Sequence, residues 1–77
     1  MLILNEEMDC CFRLEDNFLI DVNESRKGTW VVRMLALSGT KHRFEYWLKE
    51  CDRKEEAQKV FNHIVLALRD KKEVLVI

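Results

Sequence analysis

Along the first third of the chain, apolar and polar residues alternate in short runs. Cys10, Phe12 and Leu14 alternate with Cys11, Arg13 and Glu15, and Phe18, Ile20 and Val22 alternate with Leu19, Asp21 and Asn23. A period of two is that of strands with one buried face. Together with the apolar stretch Leu2 to Leu4, these runs predict three short strands. The polar turn Glu15-Asp16-Asn17 predicts that the second and third form a small hairpin. The segment from Asn23 is again polar and ends at Gly28, which marks another turn.

The segments Thr29 to Leu37 and Lys41 to Lys49 are rich in β-branched and aromatic residues, and Ser38-Gly39-Thr40 between them reads as a hairpin loop. A turn centred on Gly39 sets Trp30 against Leu48, Val32 against Tyr46, Met34 against Phe44 and Ala36 against His42 on the core face. On the other face it sets Arg33 against Glu45, Val31 against Trp47, Leu35 against Arg43, Leu37 against Lys41 and Thr29 against Lys49. Opposite charges and an aliphatic-aromatic pair then lie across from one another, as cross-strand stabilisation favours.

Beyond residue 52 the period changes to that of a helix. Asp52 followed by Glu55 fits a capping-box-like start, and Ala57, Val60, Phe61, Ile64, Val65 and Leu68 fall on one stripe with Ala67 at its edge. A helix from Asp52 to Arg69 is predicted, packed on the sheet by that stripe. Leu66 falls on the polar side with Glu55, Lys59 and Asn62. After the basic turn Arg69 to Lys72, the apolar run to Ile77 predicts a last strand. The fold class is therefore α+β, an antiparallel twisted sheet or half-barrel of about five to six strands packed against one C-terminal helix. At 77 residues, positions 1–77 make a single domain.

The hairpin and the following segment DRKEEAQKVFNHIVLALRDKKEVLVI resemble small uncharacterised, PH-like proteins of Gram-positive bacteria and their prophages. In those proteins a strand hairpin leads into a helix that begins T-x-E-E-A-x-x-V-F-x-x-I. The resemblance covers Thr29 to Leu68 and carries over no site residue. It implies a half-barrel and a prophage-type accessory role.

Composition narrows the function classes. Hydrophobic residues make up 48% of the chain and charged residues 35%, which suits a compact domain and not a disordered tail. Thirteen Lys and Arg against fourteen Asp and Glu leave a net charge of −1, so no overall field draws the chain to nucleic acid or an anionic membrane. The apolar runs are far shorter than the roughly 20 residues that span a bilayer. Met1 to Leu4 lacks a basic flank and runs into Glu6 and Glu7, so no signal peptide is expected and a cytoplasmic location follows.

The three cysteines are read as reduced thiols, because an adjacent pair such as Cys10 and Cys11 would need a strained vicinal bridge. The same adjacency argues against zinc, since neighbours in a strand point to opposite faces and cannot converge with Cys51 and His63. Cys51 and His63 do not make a nucleophile and base either, being separated by roughly 15 Å of helical rise. No catalytic, cofactor or metal residues are assigned, and the chain is read as a non-enzyme.

What calls for a partner is the face of the hairpin turned away from the helix. There Val31, Leu35, Leu37 and Trp47 lie among Arg33 and Arg43, where a one-helix, one-sheet domain should be polar. Either the N-terminal strands fold over this face, or it is an interface whose Trp and Arg are the residue types enriched at binding hot spots. The sequence thus points to a small protein-binding domain, its partner a second copy of itself or, for a phage-type modulator, a host protein. The alternative is a single-stranded nucleic-acid binder that stacks bases on Trp47 beside Lys41 and Arg43.

Overall fold

The structure, a computed structural model, describes residues 1–7, 9–14, 18–38 and 42–77, the side chains of 36–38 and 42–44 excepted. Among these residues six strands and one helix follow one another as β1 (Leu2–Asn5), β2 (Cys10–Arg13), β3 (Phe18–Glu24), β4 (Trp30–Ser38), β5 (His42–Cys51), α1 (Lys54–Arg69) and β6 (Val74–Val76). They form two three-stranded sheets, ordered β2-β1-β6 and β3-β4-β5. The fold class is α+β, with the predicted strands divided between two sheets and β6 running parallel to β1. All other pairings are antiparallel.

The hairpin expected between Cys10 to Leu14 and Phe18 to Val22 does not form. β2 pairs with β1, setting Asn5 against Cys10 across a short turn in which Asp9 takes a positive φ of 53°. Asp tolerates that left-handed conformation better than most residues. β3 pairs instead with β4 through the Ser25 to Thr29 turn, where Gly28 has φ 83°. Ser25 fastens this turn, its hydroxyl oxygen accepting from the Lys27 and Thr29 amides and lying 2.6 Å from the Thr29 hydroxyl. Residues 15–17, read as that hairpin's turn, lie outside the described residues.

The alternation itself is correct. Ile3 and Leu14 from the first sheet, Val32, Met34, Leu48 and Cys51 from the second, and Ala57 and Ile64 from α1 make one buried cluster. Phe12, Phe18, Ile20, Val22 and Trp30 pack against it. The N-terminal strands therefore join the core on the helix side of the β3-β4-β5 sheet.

The β4-β5 register is offset by two residues from the one centred on Gly39. Ser38 pairs with His42 and the ladder runs through Met34 with Tyr46 and Arg33 with Trp47. The pair at the loop end encloses residues 39–41 in place of the expected 38–40, so the three-residue loop is displaced by one position along the chain. A slip of two preserves the facing, so Met34 is still buried and Arg33 still turned outward. A β-bulge then follows, because Val32 pairs with Lys49 and Val31 with Glu50, leaving Leu48 without an opposite residue. The extra residue reverses the parity of β5 and carries Cys51 into the core opposite Trp30.

The helix begins two residues later than predicted. Its N-cap is Arg53, with no side-chain cap, so the Asp52 capping box is not made. Glu55 and Glu56 in the first turn meet the positive end of the helix dipole, and the Lys54 ammonium lies 5.3 Å from the centre of the Trp30 ring. The buried positions are Ala57, Ile64 and Ala67, which turns the inward stripe away from Phe61, Val65 and Leu68. Phe61 is half-buried, and Val65, Leu66 and Leu68 are exposed. At the C-terminus Lys72 N–H donates to Ala67 and Lys71 N–H to Leu68, a Schellman closure with Lys71 at φ 55° where glycine is usual.

Candidate interaction surface

On the outward side of the β3-β4-β5 sheet, register places Leu19 beside Leu35, Asp21 beside Arg33 and Trp47, and Asn23 beside Val31 and Glu50. At its centre Arg33 is held by two carboxylates. Its Nε donates to Asp21 Oδ1 at 2.8 Å and its Nη2 to Asp21 Oδ2 at 2.6 Å, a bidentate pair, while Nη1 reaches Glu45 Oε1 at 3.4 Å. Hydrogen bonding to Asp21 holds this guanidinium above its ordinary pKa, with the Asp21 charge and then Glu45 adding to the effect against partial desolvation. Glu45 also accepts from the Trp47 indole N–H at 2.9 Å, which fixes the ring beside the ion group. At the other end of the sheet, the Thr29 hydroxyl donates to Glu50 at 2.6 Å.

The residues singled out from sequence are distributed unevenly over this face. Val31 is 1% exposed and Leu35 8%, so both are buried although neither belongs to the helix-side cluster. Arg33 is engaged by its own neighbours. Trp47, at 38%, is open to solvent. Leu37 and Arg43 pair backbone to backbone, while their side chains lie outside the described residues, as does Lys41. Leu19, at 55% exposed, is the residue that sequence reasoning missed, along with the carboxylate of Asp21. The signal was available, since Leu19 is an apolar residue at a polar parity, but its meaning depended on β3 being the neighbour of β4.

A cleft of about 450 Å³ opens elsewhere, between β5 and the start of α1, lined by Glu7, Lys49, Glu50, Cys51, Asp52 and Glu56 among others. Burial pushes the Cys51 thiol up, as do the charges of Glu56, Glu7 and Asp52, against the opposing pull of Lys49. A thiol so placed is protonated near neutral pH and a poor nucleophile. With the full chain folded at pH 8, a soluble maleimide should label exposed Cys11 within seconds to minutes and Cys51 only as the domain opens. Equal labelling rates by mass spectrometry would contradict this placement. His63 is exposed on α1. Among the described residues no group of three or more His, Cys, Asp or Glu side chains is placed to hold a metal ion.

Among the described residues, no helix is long and apolar enough to cross a membrane. Compared with protein-family models, with curated proteins and with solved structures, the chain matches none.

Proposed function

We propose that the chain is a non-catalytic protein-binding domain whose contact surface is the outward side of the β3-β4-β5 sheet, centred on Leu19 and Trp47. One observation carries this reading: two large apolar side chains stand in solvent on either side of an arginine already neutralised by its own carboxylates. Arg33 is bound directly to Asp21 and reaches Trp47 only through Glu45, which leaves it little to offer a phosphate. Among the described side chains of this face, Asp21, Glu45 and Glu50 outnumber Arg33, which suits a polypeptide presenting an apolar side chain flanked by Lys or Arg. In its most concrete form, suggested by the resemblance of the hairpin and helix, the protein is a cytoplasmic, prophage-type accessory protein that modulates a host protein.

The same carboxylates weigh against single-stranded nucleic acid, the competing occupant, because bases stacked on Trp47 would bring phosphates toward Asp21 and Glu45. Titration of the full chain with a labelled single strand at low and moderate salt should show no saturable binding. Micromolar binding with a steep linear dependence of log affinity on log salt, reduced by Arg43→Ala, would replace protein binding with nucleic-acid binding.

A further inference from the structure

The edge of the other sheet is a separate surface. In the parallel β1-β6 ladder, Leu2 N–H donates to Glu73 and Ile77 N–H to Leu4, each at 2.8 Å. Residues 73, 75 and 77 thus turn their backbone groups toward β1, and strand alternation directs the N–H and C=O of Val74 and Val76 outward. Their side chains are 48% and 52% exposed and share the outer face with Leu2 and Leu4, their register partners. Proteins commonly protect such edges with charge. β2 carries Arg13, β3 carries Asp21 and Glu24, and β5 carries Lys49 and Glu50, whereas β6 is uncharged throughout.

We infer that β6 is a self-association edge and that its occupant is β6 of a second copy, paired antiparallel about a two-fold axis through Leu75. In that register Val74 lies opposite Val76 of the second copy and Val76 opposite its Val74. Each outward N–H meets an outward C=O, and the β-branched side chains meet on the outer face. Charge selects the direction. Arg69 pairs with Asp70, and Lys71 and Lys72 against Glu73 leave the turn into β6 net positive; antiparallel pairing sets the two turns at opposite ends of the joint ribbon, whereas parallel pairing would set them side by side. The product is one sheet ordered β2-β1-β6-β6-β1-β2, in which both uncharged edges are covered and the charged β2 edges end the assembly.

Sedimentation velocity of the full chain from about 1 µM to about 500 µM should show a reversible monomer-dimer equilibrium with a micromolar to submillimolar dissociation constant. Val76→Lys, which brings charge to the edge, and Val74→Pro, which removes an outward N–H and no bond to β1, should each weaken it at least tenfold. Val65→Lys, an equal charge on the exposed side of α1, should not. In the unsubstituted protein, the Val74 and Val76 amides should exchange more slowly at high concentration than after dilution, a readout that needs no variant. A monomer across the whole range, or a dimer indifferent to both edge substitutions, overturns the inference.

Discussion

Replacing Ile64 with Ala is expected to lower the unfolding free energy by about 3 to 4 kcal/mol, the usual range for an aliphatic side chain truncated in a closed core. Ile64 is fully buried, and it is the largest α1 side chain in the cluster that joins both sheets, the others being Ala57 and the partly buried Val60. A domain of this length has roughly 4 to 11 kcal/mol in total, so the substitution removes about a quarter of it or more. Urea unfolding followed by far-ultraviolet dichroism should show the midpoint falling steeply. Phe61→Ala, at a half-buried position outside the cluster, should cost well under half as much. A larger loss for Phe61 than for Ile64 would mean that α1 docks by the stripe its sequence suggested, rotated from the one observed.

Asn5→Ala should be the other costly change, at about 2 to 3 kcal/mol for a lost buried hydrogen bond and a carbonyl left without a donor. Asn5 is 2% exposed, and its Nδ2 donates to the carbonyl of Leu48 at 2.7 Å. Leu48 is the bulged residue, the one position of β5 at this point with no opposite number in β4. The amide of a β1 residue thus satisfies the polar group that the bulge leaves over, and it ties the first sheet to the second. Equilibrium unfolding gives the free energy, and amide exchange locates it, with faster exchange expected along β1. An Asn5→Leu variant as stable as the unsubstituted protein would show that the bulge needs no such donor.

These two positions also mark what was legible in the sequence. The period-two runs gave the correct inward residues of β3 and β4, because which residues face the core depends on parity alone. Pairing depends on turns, and these were read less well. A register centred on Gly39 misses by two residues because the closing pair is Ser38 with His42 and not Leu37 with Lys41, which moves a loop of unchanged length one residue along the chain, and no Gly or Pro announces the bulge at Leu48. The β2-β3 hairpin was inferred from the polar run 15–17, while the turn that matters, Glu6 to Asp9, carries neither Gly nor Pro and depends on Asp9 adopting a left-handed conformation. Helix α1 was clear in its extent. Its facing was not, because apolar residues occupy more than half of its circumference from Val60 to Leu68, and only the small residues Ala57 and Ala67 fit closest to the sheets. The outward surface was legible through Trp47 and the Arg33-Glu45 attraction, which survives as a diagonal contact despite the changed register. Leu19 and Asp21 required knowing which strand lies beside β4.

The most direct test of a protein-binding surface at Leu19 and Trp47 compares one captured polypeptide against three forms of the chain. After nuclease treatment of a lysate, a polypeptide retained by the unsubstituted protein is purified and titrated against it, against Trp47→Ala and against Leu19→Ser, with dichroism confirming that each variant is folded. The affinity should fall about 30-fold or more for Trp47→Ala, corresponding to roughly 2 kcal/mol at a buried aromatic anchor, and measurably for Leu19→Ser. Retention unchanged by both substitutions, or lost on nuclease treatment, would contradict the assignment of that surface.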